Sequence, residues 1–143
     1  MLTTEAPEAP ETRLPSPVRS TVQVGEPLAA AGGRVRTGTV MEISPTEPVF
    51  AGHYPDFPIF PGVCLIECAR LSAEVTAPDG PGTLYLEAVE SSRFGGPVRP
   101  GDRLSLVLTW TALETGWRTA VRIRSERGDV ASIRLRLGRE GRQ

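Results

Sequence analysis

The sequence predicts an α+β domain in which one buried helix packs against a mostly antiparallel sheet. Three observations carry this. The second half of the chain is a run of strand-like segments joined by short turns. A single stretch of helical length, free of Pro and Gly after its first residue, precedes them. The 143 residues with 39% apolar content are enough for one core and too few for two ordinary ones.

Residues 1–13 have few apolar side chains and two Pro, and are expected to form a disordered tail. Residues 14–138 make the single domain, and 139–143 a short C-terminal tail. From Arg34 to Ile43, the side chains Val35, Thr37, Thr39, Met41 and Ile43 fall on one side of a strand, with Arg34, Arg36 and Glu42 on the other. Ser44 to Pro61 carries five prolines, so neither a regular helix nor a central strand is expected there, only a stiffened loop around His53. Gly62 to about Ala77 is the helix, stopped by Pro78, Asp79 and Gly80. Its first half is apolar nearly all round except at Glu67, which predicts burial on every side.

Four strands follow, at Gly82–Phe94, Arg103–Leu113, Trp117–Arg127 and Val130–Leu137. Leu104, Leu106, Leu108 and Trp110 share one face, and Trp117, Val121 and Ile123 alternate with Arg118, Arg122 and Arg124. The short links after Leu113 and Arg127 imply antiparallel hairpins, since parallel pairs would need crossovers.

Composition excludes several chemistries. Sixteen basic residues against 17 acidic give a net charge of −1, which argues against nucleic acid or an anionic membrane as the main partner. Every basic residue other than His53 is Arg; without Lys there is no lysine P-loop, Schiff base or Ser-Lys dyad. A single His rules out a two-histidine zinc motif within one chain, and no metal site is expected. Cys64 and Cys68 stand four apart on the helix, poorly placed for a disulfide, and read as buried free thiols in a reducing, cytoplasmic compartment. With no apolar run near Met1, neither a signal peptide nor a membrane span is expected.

The candidate chemistry sits between His53 and Glu67. A proline-braced loop holds the one residue that titrates near neutral pH, and a carboxylate stands on a helix otherwise built for burial, where its pKa should rise. Between them Pro61-Gly62-Val63 opens the helix with backbone N–H groups free to meet a developing oxyanion. Base, acid and oxyanion donor are the parts needed to abstract a proton next to a carbonyl. A hydrogen-bonded loop histidine, and a helix carboxylate that merely pairs with Arg, fit the same residues. The alternating Arg134 and Arg136 read as a solvated strand face.

The stretch Gly52-His53-Tyr54-Pro55, then Pro58-Ile59-Phe60-Pro61-Gly62-Val63, with Glu67 fourteen residues after His53, resembles the signature of the bacterial β-hydroxyacyl-acyl-carrier-protein dehydratases. Arg93-Phe94 followed by Pro97-Val98-Arg99-Pro100-Gly101-Asp102 is similar to their second landmark. The resemblance implies the hot-dog fold, a sheet wrapped around one long central helix, with no cofactor. It implies that His53 removes the C2 proton of a 3-hydroxyacyl thioester and that Glu67 handles the C3 hydroxyl, while Gly62 and Val63 N–H groups polarise the carbonyl. A substrate tunnel along Phe50, Tyr54, Phe60, Leu71 and Phe94 is implied too, as is an acyl carrier protein partner met by Arg93, Arg99 and Arg103. Each active site would combine His from one protomer with the acid of another, in a homodimer, a heterodimer or a higher oligomer.

Three departures stand out. Leu71 replaces a family Gln, Gly95 and Gly96 replace basic residues after the Arg-Phe pair, and 78–82 is short. They point to a specialised member, in fatty-acid or polyketide-type secondary biosynthesis. A hot-dog thioesterase using Glu67 to activate water is one alternative; a subunit completing a partner's site in a heterodimeric dehydratase is another.

Overall fold

The computed structural model describes residues 16–30, 32–52 and 59–139. Its strands are β1 (Gln23–Val24), β2 (Arg36–Glu42), β3 (Leu84–Phe94), β4 (Arg103–Leu113), β5 (Gly116–Ser125) and β6 (Gly128–Arg139), with helices α1 (Pro48–Gly52) and α2 (Gly62–Thr76). They form one sheet in the order β1-β2-β4-β5-β6-β3, each neighbouring pair antiparallel. The six-stranded antiparallel sheet matches the expected fold class, while the helix expected to be long and central is α2, of 15 residues.

Local chemistry explains the order. Leu113 pairs with Gly116 and Ser125 with Gly128, so β4-β5 and β5-β6 are closed by two-residue turns. Gly128 takes φ 128°, a backbone state that side-chain-bearing residues avoid. At Gly116, opposite Gly138, an added Cβ would fall 2.0 Å from the Leu137 carbonyl oxygen, so no larger residue fits that register. Since β2 and β3 lie toward opposite sides of the sheet, the chain must cross its face between them, and α2 makes that crossing.

The inner face of β4 and β5 forms the core: Leu104, Leu106, Leu108, Trp110, Val121 and Ile123 are each at most 1% exposed. Against it α2 buries one stripe, including Cys64, Cys68, Ala69, Ser72 and Ala73, whose small side chains let the helix lie close to the sheet. Hydroxyls within this contact pair with one another. Thr39 and Ser72 meet at 2.7 Å, Thr37 donates to Thr76 at 3.1 Å, and Trp110 Nε1 donates to Thr37 at 2.9 Å. The thiols of Cys64 and Cys68 are free and buried, as expected, and burial is the main cause that pushes both pKa values up.

Two expectations need correction. The apolar run of α2 is not covered on all sides within the chain: Val63 is 68% exposed, and Ile66 and Leu71 are only partly buried. The proline-rich loop contains a helical turn, α1, because Pro48 can occupy a first helical position; Phe50 N–H then donates to the Glu47 carbonyl. The short β1 is an element that the hydrophobic pattern does not predict.

Candidate active site

Residues 53–58 lie outside the described residues, so His53 and Tyr54 carry no structural account. The described part of the site comprises the start of α2, the carboxylate of Glu67 and the end of β3 beside them.

Pro61 caps α2 in extended conformation (φ −72°, ψ 157°) and offers no side chain to bond the first amides. Its carbonyl accepts from Cys64 N–H at 3.0 Å and Leu65 N–H at 3.3 Å. Gly62 and Val63 N–H have no acceptor among the described residues, leaving two donors at the positive end of the helix. The ring of Phe94, at the end of β3, lies against Gly62: a Cβ there would stand 2.9 Å from two of its carbons. Glycine lets that ring lie close, since a larger residue would have to push it aside, and the signature's two landmarks meet at this contact.

Glu67 is one and a half turns along α2, with a side chain 14% exposed. Arg70, one turn on, forks around it: Nε donates to Oε1 at 2.8 Å and Nη2 to Oε2 at 2.6 Å. Ser16 Oγ donates to Oε2 at 2.6 Å from the N-terminal segment. Burial pushes the carboxyl pKa up, but the hydrogen bonds from Arg70 and Ser16 and the Arg70 charge outweigh it, and the net shift is downward. This corrects the expectation of a raised pKa. The apolar helix does not isolate the carboxylate, because an arginine three residues on reaches back over it. Neither Arg70 nor Ser16 belongs to the signature; the Glu67-to-Arg70 spacing is the available sequence signal for the first.

A second carboxylate, Glu47, is 2% exposed and holds the same N-terminal segment. It accepts from Arg19 N–H at 2.9 Å, Ser20 N–H at 2.6 Å and Ser20 Oγ at 2.5 Å. Residues 16–20 are thus tied to both the α1 turn and α2, and Ser16 reaches Glu67 because of it.

The other residues implied by the resemblance divide. Phe50 and Phe60 are buried together, ring centroids 5.9 Å apart, while Phe94 is 46% exposed and Leu71 half-buried. Arg93 and Arg99 flank the Gly95-Gly96 loop, both exposed. Arg103 stands apart, donating to Glu42 at 2.9 Å. Among the described residues no group of side chains could hold a metal ion, and no helix is long and apolar enough to cross a membrane.

Comparison with known proteins bears on this geometry. The family described as ApeI-like, ApeI dehydratase, matches residues 34–134. A 3-hydroxyacyl-acyl-carrier-protein dehydratase FabZ from Symbiobacterium thermophilum is 41% identical over 85 residues, which are 57% of this chain and 60% of the relative. The match thus spans less than two thirds of that protein's length. Among solved structures, the dehydratase heterocomplex ApeI:P from Xenorhabdus doucetiae superposes with a TM-score of 0.60 at 22% identity, covering 80% of this chain and 100% of that one. A hypothetical thioesterase with coenzyme A from Streptococcus pneumoniae gives 0.65 at 10% identity, covering 86% of this chain and 88% of that one. Likenesses of this order establish the shared fold.

Proposed function

Because the chain belongs to the ApeI-like dehydratase family, we propose that it dehydrates a 3-hydroxyacyl thioester, carried on an acyl carrier protein, to the 2-enoyl product. The observation that carries this reading is the Gly62 helix start, seated against Phe94, with Glu67 on the same helix.

In the proposed reaction the N–H groups of Gly62 and Val63, which have no acceptor among the described residues, take the thioester carbonyl, and the helix N-terminus favours the charge that grows there. The C2–H bond breaks as its proton passes to His53; the C2–C3 double bond forms as the C3–O bond breaks. The departing hydroxyl gains its proton from Glu67 and leaves as water. Glu67 must therefore be protonated in the competent complex, and Arg70 opposes that. The pair has to loosen, through one or both of the Arg70 hydrogen bonds, when substrate or a partner subunit arrives. Phe50, Phe60, Leu71 and Phe94 would border the acyl chain, with Arg93 and Arg99 meeting the carrier and the Glu42-bound Arg103 contributing less.

The exposed edge of β3, with Tyr85, Val89 and Phe94 each more than 40% exposed, and the uncovered Val63 support assembly through this side with a second hot-dog subunit. A second reading rests on the Arg70 clamp and on the likeness to the ApeI:P heterocomplex: the chain is one subunit of a heterodimeric dehydratase whose partner completes the site. The thioesterase alternative has only fold likeness behind it.

The test is incubation of the purified chain with 3-hydroxyacyl carrier thioesters, followed by mass spectrometry. Enoyl product formed by the wild type and lost in His53→Ala supports the reading. Release of free thiol without enoyl product would replace it with the thioesterase, and native mass measurement decides between one kind of subunit and two.

A further inference from the structure

The face of the sheet turned away from α2 carries a second constellation, which shares only Arg93 with the carrier contact proposed above. The register places Arg93 of β3 opposite Ser132 of β6, and Ser132 opposite Arg122 of β5. In the next outward row Ser91 faces Arg134, which faces Ala120. Arg122 and Arg134 are exposed, while Val121, Ile123, Ile133 and Leu135 between them are buried on the inner face. With strands about 4.8 Å apart, Arg93 and Arg122 rise on the order of 10 Å from each other across a serine, and Arg134 on the order of 7 Å along β6. Small residues between three long ones leave a hollow of about 380 Å³, whose polar lining is Ser91, Ser92, Arg93, Arg122, Ser132 and Arg134.

No carboxylate lines it. Three other arginines on this face are matched with acids, Arg118 with Glu90 at 2.6 Å, Arg136 with Glu90 at 3.2 Å and Arg124 with Asp129 at 3.3 Å, while Arg36 on β2 donates to the Ala29 carbonyl. Among the described residues, Arg93, Arg122 and Arg134 have no such partner. Like charges on adjacent strands repel, and a chain of net charge −1 has acids enough to have matched them. Three unmatched guanidiniums around serine hydroxyls are the donor set for an oxyanion with several acceptor oxygens.

We propose that this hollow binds the phosphate group of a phosphate ester, with Arg122 and Arg134 as its principal ligands and Ser132 at its floor. An acidic helix of a protein partner fits less well. Glu90 and Asp129, which border the adjoining hollows, are already paired with Arg118, Arg136 and Arg124, so the charge of Arg93, Arg122 and Arg134 centres on this one hollow, which suits a single compact anion better than a row of carboxylates. The site is independent of His53 and Glu67, and binding rather than turnover tests it.

The full chain is titrated calorimetrically with 3′,5′-adenosine diphosphate and, separately, with inorganic phosphate. Saturable one-to-one binding of the ester is expected, weakened roughly tenfold or more in Arg122→Ala and further in the Arg122→Ala/Arg134→Ala pair. Arg124→Ala, which removes a neighbouring arginine already matched with Asp129, leaves it unchanged. Ser132→Asp, which puts a carboxylate at the centre without removing an arginine, abolishes it. Equal affinity for inorganic phosphate and the ester would overturn the assignment to an ester. Absence of saturable binding, equal loss in Arg124→Ala, or an unphosphorylated acidic peptide bound with the same sensitivity to Arg122→Ala would overturn the phosphate site.

Discussion

Replacing Arg70 with Gln removes the charged fork from Glu67 while keeping an unbranched polar side chain of good helix propensity on α2. Two charge-assisted hydrogen bonds are lost, at 2.8 and 2.6 Å. Such bonds contribute about 1.5–3 kcal/mol where water is excluded, but Arg70 is 32% exposed, and partial solvent screening brings the expectation to about 1–2 kcal/mol at pH 7. With a urea dependence of about 2 kcal/mol per molar, the unfolding midpoint falls by roughly 0.5–1 M. The pH dependence comes from the direction of the Glu67 shift, which is downward in the folded protein. A depressed carboxyl pKa stabilises the fold fully above the unfolded value, about 4.3, and that contribution disappears as pH falls through the lower folded value. Wild type and Arg70→Gln should therefore differ at pH 7 and by less at pH 3, which lies below the unfolded value. The same change should raise the Glu67 pKa, so that turnover depending on a protonated Glu67 persists to higher pH in the variant. Urea titrations at the two pH values provide the assay. An equal gap at both, or none at pH 7, would refute the inference that Arg70 sets the charge of Glu67.

Asp102, 8% exposed, accepts from Arg99 N–H at 2.9 Å and pairs with Arg127 at 2.5 Å, closing the turn before β4. Asp102→Ala should cost about 2 kcal/mol and lower the melting temperature by roughly 4–8 °C in a scanning calorimeter. Glu47→Gln turns an amide toward buried N–H donors and should free residues 16–20, read as faster hydrogen exchange at the Arg19 and Ser20 amides. Gly62→Ala puts a Cβ 2.9 Å from the Phe94 ring, which is exposed enough to swing aside. Its stability loss should stay near 1 kcal/mol while kcat/KM falls far more, and Phe94→Ala in the same chain should recover stability.

The fold is legible in the sequence wherever periodicity is strong. The alternation through Leu104, Leu106, Leu108 and Trp110 marks β4 with its observed ends, and the Pro78-Asp79-Gly80 stop places the end of α2 within one residue. The α1 turn is hidden because proline count says nothing about whether a proline stands first in a helix, as Pro48 does. β1 has only two residues and owes its place to β2, a non-local pairing that no local pattern encodes. The helix start and Glu67 are visible as a motif, but the environment of Glu67 is not. Ser16 lies 51 residues away in sequence, and the direction of the pKa shift turns on which of burial or Arg70 wins. The outer hollow is hidden for a similar reason: Arg93, Arg122 and Arg134 are brought together only by the β3-β6-β5 register.

The measurement that bears most directly on the proposed dehydration is the mass change of a 3-hydroxyacyl carrier thioester on incubation with the purified chain, or with the chain and its partner subunit. Loss of one water to give the enoyl thioester, abolished in both His53→Ala and Glu67→Gln with the fold intact, is the predicted result. Unchanged water loss in either variant would contradict the account.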